Sequence, residues 1–376
     1  MIRLWRSSPT ALSGRAVALK RLCRFDEALA NFDAALALEP TSAHVKNNKA
    51  ALLLLLGDFE AGWDLYEWRW IVGQTPKHAL KLAVPEWEGQ PLAGKTILVF
   101  DEQGLGDAIQ FVRFLHLLNE AGAHVAFFCR SGLRRLFRGL AVAVTLIDSL
   151  DDIKRFDYQI ALCSLPRALK TRLSTIPAAT PYLAAEPALV QKWRARLGSR
   201  DFKVGICWRG NADLRADAGR ALPLACFAPL AGKGVRLISL QKIDPGPSQR
   251  NQPALPGPEN LSALDERAAF PLENLGPDFD AGADRFIDAA AVMQSLDLII
   301  ACDTSIAHLA GALGRPVWVV LPQSPDWRWL LQREDCPWYP SMRLFRQNRR
   351  GDWTEVFDAL GEALQINRAF APPSCS

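Results

Sequence analysis

An acidic, glycine-containing run, Asp101-Glu102-Gln103-Gly104-Leu105-Gly106-Asp107, stands between a strand-like stretch (KTILVF) and a helix-like one (AIQFVRFLHLL). Strand, glycine turn and helix start are the layout of a dinucleotide-binding loop. Three residues speak against that use: Ile109 takes the place of the third glycine, Arg130 follows the next strand where an acid would hold the ribose, and Asp107 puts a carboxylate where the pyrophosphate would lie. A carboxylate there suits a general base, because helix N–H groups and the helix dipole favour its ionised form. It also suits a plain helix cap, and on local sequence alone the cap is the simpler reading.

Further residues fit a diphosphate or a sugar. Trp208-Arg209-Gly210-Asn211 follows the strand-like KVGIC: glycine permits close backbone approach, and arginine or asparagine reaches phosphate or ribose. Arg220 is placed to clamp a pyrophosphate with two parallel N–H bonds. Gln241-Lys242 follows RLISL. The sharpest signal is LIIACDTSIAHLAGALG, an apolar strand that runs into Asp303-Thr304-Ser305 and then a helix bearing His308. Hydroxyl residues at a helix start, with the N–H groups the helix leaves unused, make a cradle for a diphosphate without a metal ion. His308 lies one turn on, as a donor contact or as a satisfied core histidine. A fourth run, PQSPDWRWLLQREDCPWYP, holds Asp326, Trp327 and Arg328 as a candidate rim. Its tryptophans suit either packing or stacking on a sugar or base. No HxxxH, CxxC or strand-terminal DxD occurs, so the sequence predicts neither a metal site nor a cofactor.

These loops need two parallel sheets to carry them. KTILVF, AHVAFFC, AVTLID and DYQIALC read as strands of one α/β unit, and KVGICW, RLISLQ, LDLIIAC and PVWVVL as strands of a second. A helix, AEPALVQKWRARLG, joins them, and two such units imply a cleft between their carboxyl edges. The stretch Ile243 to Pro277, rich in Pro, Gly and Asn, reads as a surface loop. The last helix, GDWTEVFDALGEAL, is expected to cross back to the first unit.

Ahead of the sheets, CRFDEALANFDAALALEP and LGDFEAGWDLYEWRW align with Phe25 over Phe59 and Phe32 over Tyr66. The offset is that of a tetratricopeptide repeat. Ala28, Phe32, Ala35 and Pro40 sit where that repeat wants small, aromatic, small and helix-ending residues. Gly62 and Arg69 replace the two small residues in the second unit, as expected of a terminal unit docking on the adjoining α/β domain. One and a half repeats are too few to stand alone. The expected divisions are 1–75 helical repeats, 76–94 linker, 95–182 first α/β domain, 183–199 linker helix, 200–350 second α/β domain and 351–376 C-terminal helix and tail.

Composition narrows the partners. Lys plus Arg number 44 against 40 Asp plus Glu in 376 residues, a net +4 without a basic block, so nucleic acid is not an expected partner. The eight cysteines form no CxxC pair and mostly lie in apolar runs, pointing to a reducing, cytoplasmic compartment. Neither a leader nor a membrane span is expected, the longest apolar run being Ala50 to Leu56.

Taken jointly, EQGLGD, WRGN, SLQK, CDTSIAHLAGALGRPVW and PDWRW…PWYPSMRLFRQ resemble bacterial tetratricopeptide-repeat proteins with a glycosyltransferase domain similar to ADP-heptose:lipopolysaccharide heptosyltransferases. The resemblance runs from about Gly14 to Leu364 and extends more distantly to protein O-linked N-acetylglucosamine transferases. It implies a GT-B fold, with acceptor on the first α/β unit and nucleotide sugar on the second. It implies Asp107 as the base that deprotonates the acceptor hydroxyl, within the loop of Glu102, Gln103, Gly104 and Gly106. Asp303, Thr304, Ser305 and His308 are implied to contact donor diphosphate and sugar; Ser305 stands where glycine is common. The expected activity is inverting, metal-independent sugar transfer to a glycan or protein hydroxyl, the repeats being available to a protein partner. The alternatives are a non-catalytic repeat scaffold or nucleotide-binding protein on the same fold, and a sugar-nucleotide epimerase of similar architecture.

Overall fold

The computed structural model describes residues 8–73, 83–129, 132–150, 156–210, 219–242 and 268–369. Asn211, Arg130, Cys375 and residues 243–267 of the expected surface loop lie outside the described residues. The chain packs as two bodies: residues 1–130, 142–178 and 323–338 form the first, and residues 131–141, 179–322 and 339–376 the second. The segment 323–338 thus belongs to the first body, although chain order places it within 200–350.

In the first body, helices α1 (Pro9–Arg21) and α2 (Phe25–Leu38) form one hairpin, α3 (Ala43–Leu55) and α4 (Phe59–Tyr66) a second, and α5 (Arg69–Val72) follows. Ser8 starts α1 by accepting the Ala11 N–H at 3.1 Å, with Pro9 in the first turn where its missing N–H costs nothing. The hairpins repeat at the level of backbone hydrogen bonds. Arg24 N donates to Leu19 O and Asp58 N to Leu53 O, each at 2.9 Å, and the left-handed turn residues are Cys23 (φ 57°) and Gly57 (φ 87°). Every partner is displaced by one repeat length. Among the described residues there are two complete hairpins, so the expectation of one and a half repeats is corrected: α1, whose sequence carries no comparable signature, completes the first. Ala28, Phe32 and Ala35 are fully buried, because small and aromatic residues alternate along the helix contact.

Strands β1 (Thr96–Phe100), β2 (His124–Phe128), β3 (Thr145–Ile147) and β4 (Tyr158–Ala161) make a parallel sheet in the order β3-β2-β1-β4. The order reverses at β1, so the loop leaving its carboxyl end occupies the topological switch point. That loop is Asp101 to Gly104, followed at once by α6 (Leu105–Phe111) and α7 (Leu115–Glu120). The linker ahead of the sheet lies along β4, with Trp87 N donating to Gln159 O at 2.9 Å.

In the second body α8 (Pro187–Leu197) leads into β5 (Phe202–Cys207), β6 (Val235–Ser239), α9 (Ile287–Met293), β7 (Leu298–Cys302), α10 (Ser305–Ala312), β8 (Val317–Leu321), β9 (Met342–Arg346) and α11 (Thr354–Ala369). The five strands are parallel in the order β6-β5-β7-β8-β9, with the switch point between β5 and β7. Strand β9 was not expected: MRLFR reads as part of an aromatic loop until it pairs with β8. The expectation that the last helix returns to the first unit is corrected, since Val356, Phe357, Leu360 and Leu364 of α11 sit in the core formed by β5, β7 and β8. The described end of the expected surface loop is also more than surface, because Glu273 bridges Ile238 and Leu275 is buried.

Candidate functional site

The loop after β1 is braced by charge. Glu102 is turned inward: Oε1 accepts from Arg69 Nη2 at 2.9 Å and from Cys163 N at 3.3 Å, and only 1% of its side chain is exposed. Arg69 also meets Glu67 at 2.6 Å and Ser164 Oγ at 2.7 Å. Burial works against the Arg69 charge, but Glu67 and Glu102 outweigh it and hold the guanidinium ionised. Burial raises the Glu102 carboxyl above its usual range, with Arg69 opposing. Glu102 thus anchors the loop, which corrects its reading as an acceptor-side contact; Gln103 and Gly104 are the exposed residues, and Gly106 is half-buried in α6.

The helix cap is Gly104, with Asp107 in the third helical position. Gly104 N donates to Asp107 Oδ2 at 2.9 Å, and Arg328 Nη2 donates to Oδ1. Asp107 therefore does close a capping contact, yet 23% of its side chain stays exposed. The structure shows the capping contact and leaves part of the same carboxylate open to solvent.

Arg328 is buried and its three nitrogens have three different partners: Nη2 on Asp107, Nε on Gln110 Oε1 at 2.6 Å and Nη1 on Asp326 Oδ1 at 2.8 Å. Burial disfavours its charge, but Asp326 and Asp107 reverse the balance and keep it protonated. Its guanidinium lies over Trp327 at 4.2 Å, and Trp327 packs edge-on to Trp63 at 5.2 Å and Trp338 at 6.0 Å. With Trp327 only 3% exposed, the rim reading of Asp326, Trp327 and Arg328 is corrected to the packing alternative. The apolar rings gain more from mutual burial than a solvent-facing platform allows.

In the second body, adjacent strands β5 and β7 bring their loops together. Cys207 Sγ lies 3.8 Å from Thr304 Oγ1 and 3.6 Å from Gln241 Oε1, which also accepts from Arg209 N at 3.1 Å. Three of the four expected loops thus meet at the carboxyl edge; the fourth is the run around Trp327. Trp208 is buried in the core with Leu222 and Phe345, so its indole packs inward, and Gly210 is half-buried. Arg220 is half-buried, and Lys242 Nζ donates to Asp280 O at 2.7 Å.

Thr304 caps α10 with extended backbone, and Asp303 and Thr304 are buried while Ser305 is partly open. The helix start leaves N–H groups directed at the loop. His308 is 4% exposed, and its Nδ1 lies 3.0 Å from Tyr339 Oη. Tyr339 is fully buried on Gly311, where a Cβ would stand 2.3 Å from the ring. Among the described residues, no group of three or more His, Cys, Asp or Glu side chains is arranged to hold a metal ion.

The repeat segment and the fold have known counterparts. A tetratricopeptide repeat spans residues 9–42. Protein FlbA of Caulobacter vibrioides is 29% identical over 399 aligned residues, covering 97% of this chain and 62% of the relative. The chain therefore spans less than two thirds of that protein's length. The structure of a glycosyl transferase of family 9 from Veillonella parvula superposes with a TM-score of 0.52 at 13% identity, over 76% of this chain and 100% of that one. ADP-heptose lipopolysaccharide heptosyltransferase II of E. coli is similar over 72% of this chain and 98% of its own, at 14% identity and a TM-score of 0.46. In fold, the chain resembles a tetratricopeptide-repeat glycosyltransferase: two parallel α/β sheets of GT-B type behind a helical repeat segment.

Arg69, Gln110, Lys20 and Tyr339 escaped the sequence reading as site residues. Arg69 had a signal, a charge at a repeat position that wants alanine. Tyr339 had none, since 31 residues separate it from His308.

Proposed function

We propose that the chain transfers a sugar from a nucleoside-diphosphate sugar to a hydroxyl group, with inversion and without a metal ion. The observation that carries this reading is the partly exposed Asp107 carboxylate at the β1 switch point, held at both oxygens with room for a proton. The acceptor oxygen attacks the anomeric carbon and its proton passes to Asp107, while the bond to the diphosphate breaks and that oxygen takes the electron pair. Helix-start N–H groups at Thr304 and Ser305, with Arg220 and Lys242, stabilise the leaving diphosphate. Asp303 and His308 orient the donor sugar, and Gly210 and Gln241 line its nucleotide. The acceptor is a glycan or a protein hydroxyl, and the repeats recruit a protein partner in the cytoplasm.

A non-catalytic scaffold is favoured by one observation, the engagement of both Asp107 oxygens. Thermal unfolding with UDP, GDP, ADP and TDP and their sugars, with and without EDTA, separates the readings. Stabilisation by one nucleotide that survives EDTA is expected; no stabilisation by any would favour the scaffold. Asp107→Asn is expected to lower transfer by roughly 10²- to 10⁴-fold while donor binding persists. Full activity in that variant removes Asp107 from the chemistry.

A further inference from the structure

Two threads join the repeats to the loop that ends at Asp107. The first comes from the turn between α1 and α2. Ser324 Oγ donates to Lys20 O at 3.0 Å and Cys23 Sγ reaches Gln323 O at 3.7 Å, tying the start of the 323–338 segment to the first repeat. Lys20 and Asp326 attract one another, and burial pushes the Lys20 ammonium down while Asp326 draws it back up. Asp326 also caps the turn at Trp327, accepting from Arg328 N at 3.1 Å. Signs then alternate: Lys20, Asp326, Arg328, Asp107. The second thread is Arg69, which lies near the end of the second repeat and holds Glu102 at 2.9 Å.

We propose that the helical repeats are a positioning element for the Asp107 carboxylate, acting through the hydrogen bonds that tie Gln323 and Ser324 to the first repeat and through the Asp326–Arg328 pair that follows them. Assigning catalytic weight to that carboxylate rests on the reading of Asp107 as the base. Because each Arg328 nitrogen is committed to a different partner, the guanidinium cannot turn without breaking a buried contact. Oδ1 of Asp107 is thereby placed by a group whose own position depends on the first repeat, while Gly104 N places Oδ2. A lysine at 328 would keep the charge but not the three-way fork. The repeats serve the site itself, in addition to any partner they bind.

The test uses the full chain with Arg328→Gln, Arg328→Lys, Lys20→Met, Asp107→Asn and the Arg328→Gln/Asp107→Asn pair. Nucleoside diphosphate release is followed from whichever UDP-, GDP-, ADP- or TDP-sugar stabilises the chain, with free sugars and Ser/Thr peptides as acceptors, beside thermal unfolding of each variant. Arg328→Gln is expected to lower kcat by about a hundredfold, as misplacement of a reacting group does, with donor KM unchanged. Arg328→Lys restores only part of that loss, Lys20→Met produces a smaller kcat fall, and Arg328→Gln adds nothing once Asp107 is Asn. An unchanged kcat in folded Arg328→Gln and Lys20→Met, with Asp107→Asn inactive, overturns the proposal and leaves the base reading standing. Should Asp107→Asn stay active, or no donor be turned over, the base reading fails, and the unfolding cycle decides the remainder. Additive losses for Arg328→Gln and Asp107→Asn then overturn the positioning link, and non-additive losses uphold it.

Discussion

The loops after β1 and after β7 both leave a parallel strand at a switch point, yet they are stabilised in opposite ways. Around Asp107 the polar work is ionic and comes from far along the chain: Arg69, Asp326 and Arg328 bring charge into a setting of Trp63, Trp327 and Trp338. Around Thr304 one strand-helix connection supplies the polar groups itself, the buried Asp303 among them, with Tyr339 reaching His308 from a distance. A general base needs a defined direction, which paired charges supply at a cost in desolvation. On the proposed reading the loop after β7 is a diphosphate cradle, which needs unpaired donors of the kind a helix start supplies. The difference teaches that a shared strand-loop-helix plan leaves the electrostatics of each loop to its tertiary neighbours.

Removing one partner from the ionic side should do the greatest damage. Arg69→Met leaves Glu67 and Glu102 buried beside an apolar chain, and the expected loss is about 3–5 kcal/mol by denaturant unfolding, with the β1 loop released. A loss below about 1 kcal/mol, the size typical of a surface pair, would mean water reaches the cluster.

The second body has a buried carboxylate pair of its own to set against this. Asp280 and Asp288 exchange backbone contacts, Asp288 N to Asp280 Oδ1 at 2.8 Å and Asp280 N to Asp288 Oδ2 at 3.1 Å. Burial, assisted by the Asp288 charge, raises the Asp280 carboxyl from 3.8 to about 6. The folded state then binds more protons than the unfolded one between those two values, so this group's contribution to stability falls as pH rises from 3.8 to about 6. Asp280→Asn keeps an acceptor for the Asp288 N–H and removes the charge. It is expected to stabilise the chain by up to roughly 3 kcal/mol above about pH 6, with the gain fading toward about pH 4. Thermal unfolding across that range checks it, and a pH-independent difference would contradict the linkage.

Two smaller changes probe the side of β7. Gly311→Ala drives a methyl into the Tyr339 ring, at 2.3 Å in the present geometry, and the expected cost is about 1–3 kcal/mol of overpacking, read by urea unfolding. Tyr339→Phe keeps the ring and deletes the hydroxyl on His308 Nδ1, for an expected loss of about 1 kcal/mol and weaker donor binding by calorimetry. Wild-type donor affinity in Tyr339→Phe would show that His308 is oriented by something else.

Locality explains which features the residues disclosed on their own. Strand runs of β-branched and aromatic residues, glycine turns and helix starts are short-range patterns, so eight of the strands and the positions of Asp107 and Thr304 were legible. β9 was not, because MRLFR acquires its meaning from pairing with β8. The repeat was legible in α2 and α4 through their small and aromatic spacing, and silent in α1, whose pattern is weaker. Glu102 and Arg328 read as facing a ligand and turn inward instead, and Trp327, open to packing or stacking in the sequence, packs. The same carboxylate or indole serves a binding surface or a core, and only burial distinguishes the two. The sequence alone determined two parallel α/β units behind a helical repeat and the residue types at their strand ends. The tertiary structure decided which charges meet, since Arg69, Asp326 and Arg328 reach the β1 loop from positions remote in the chain. At such separations no local pattern encodes a contact, because it forms only once the elements have packed.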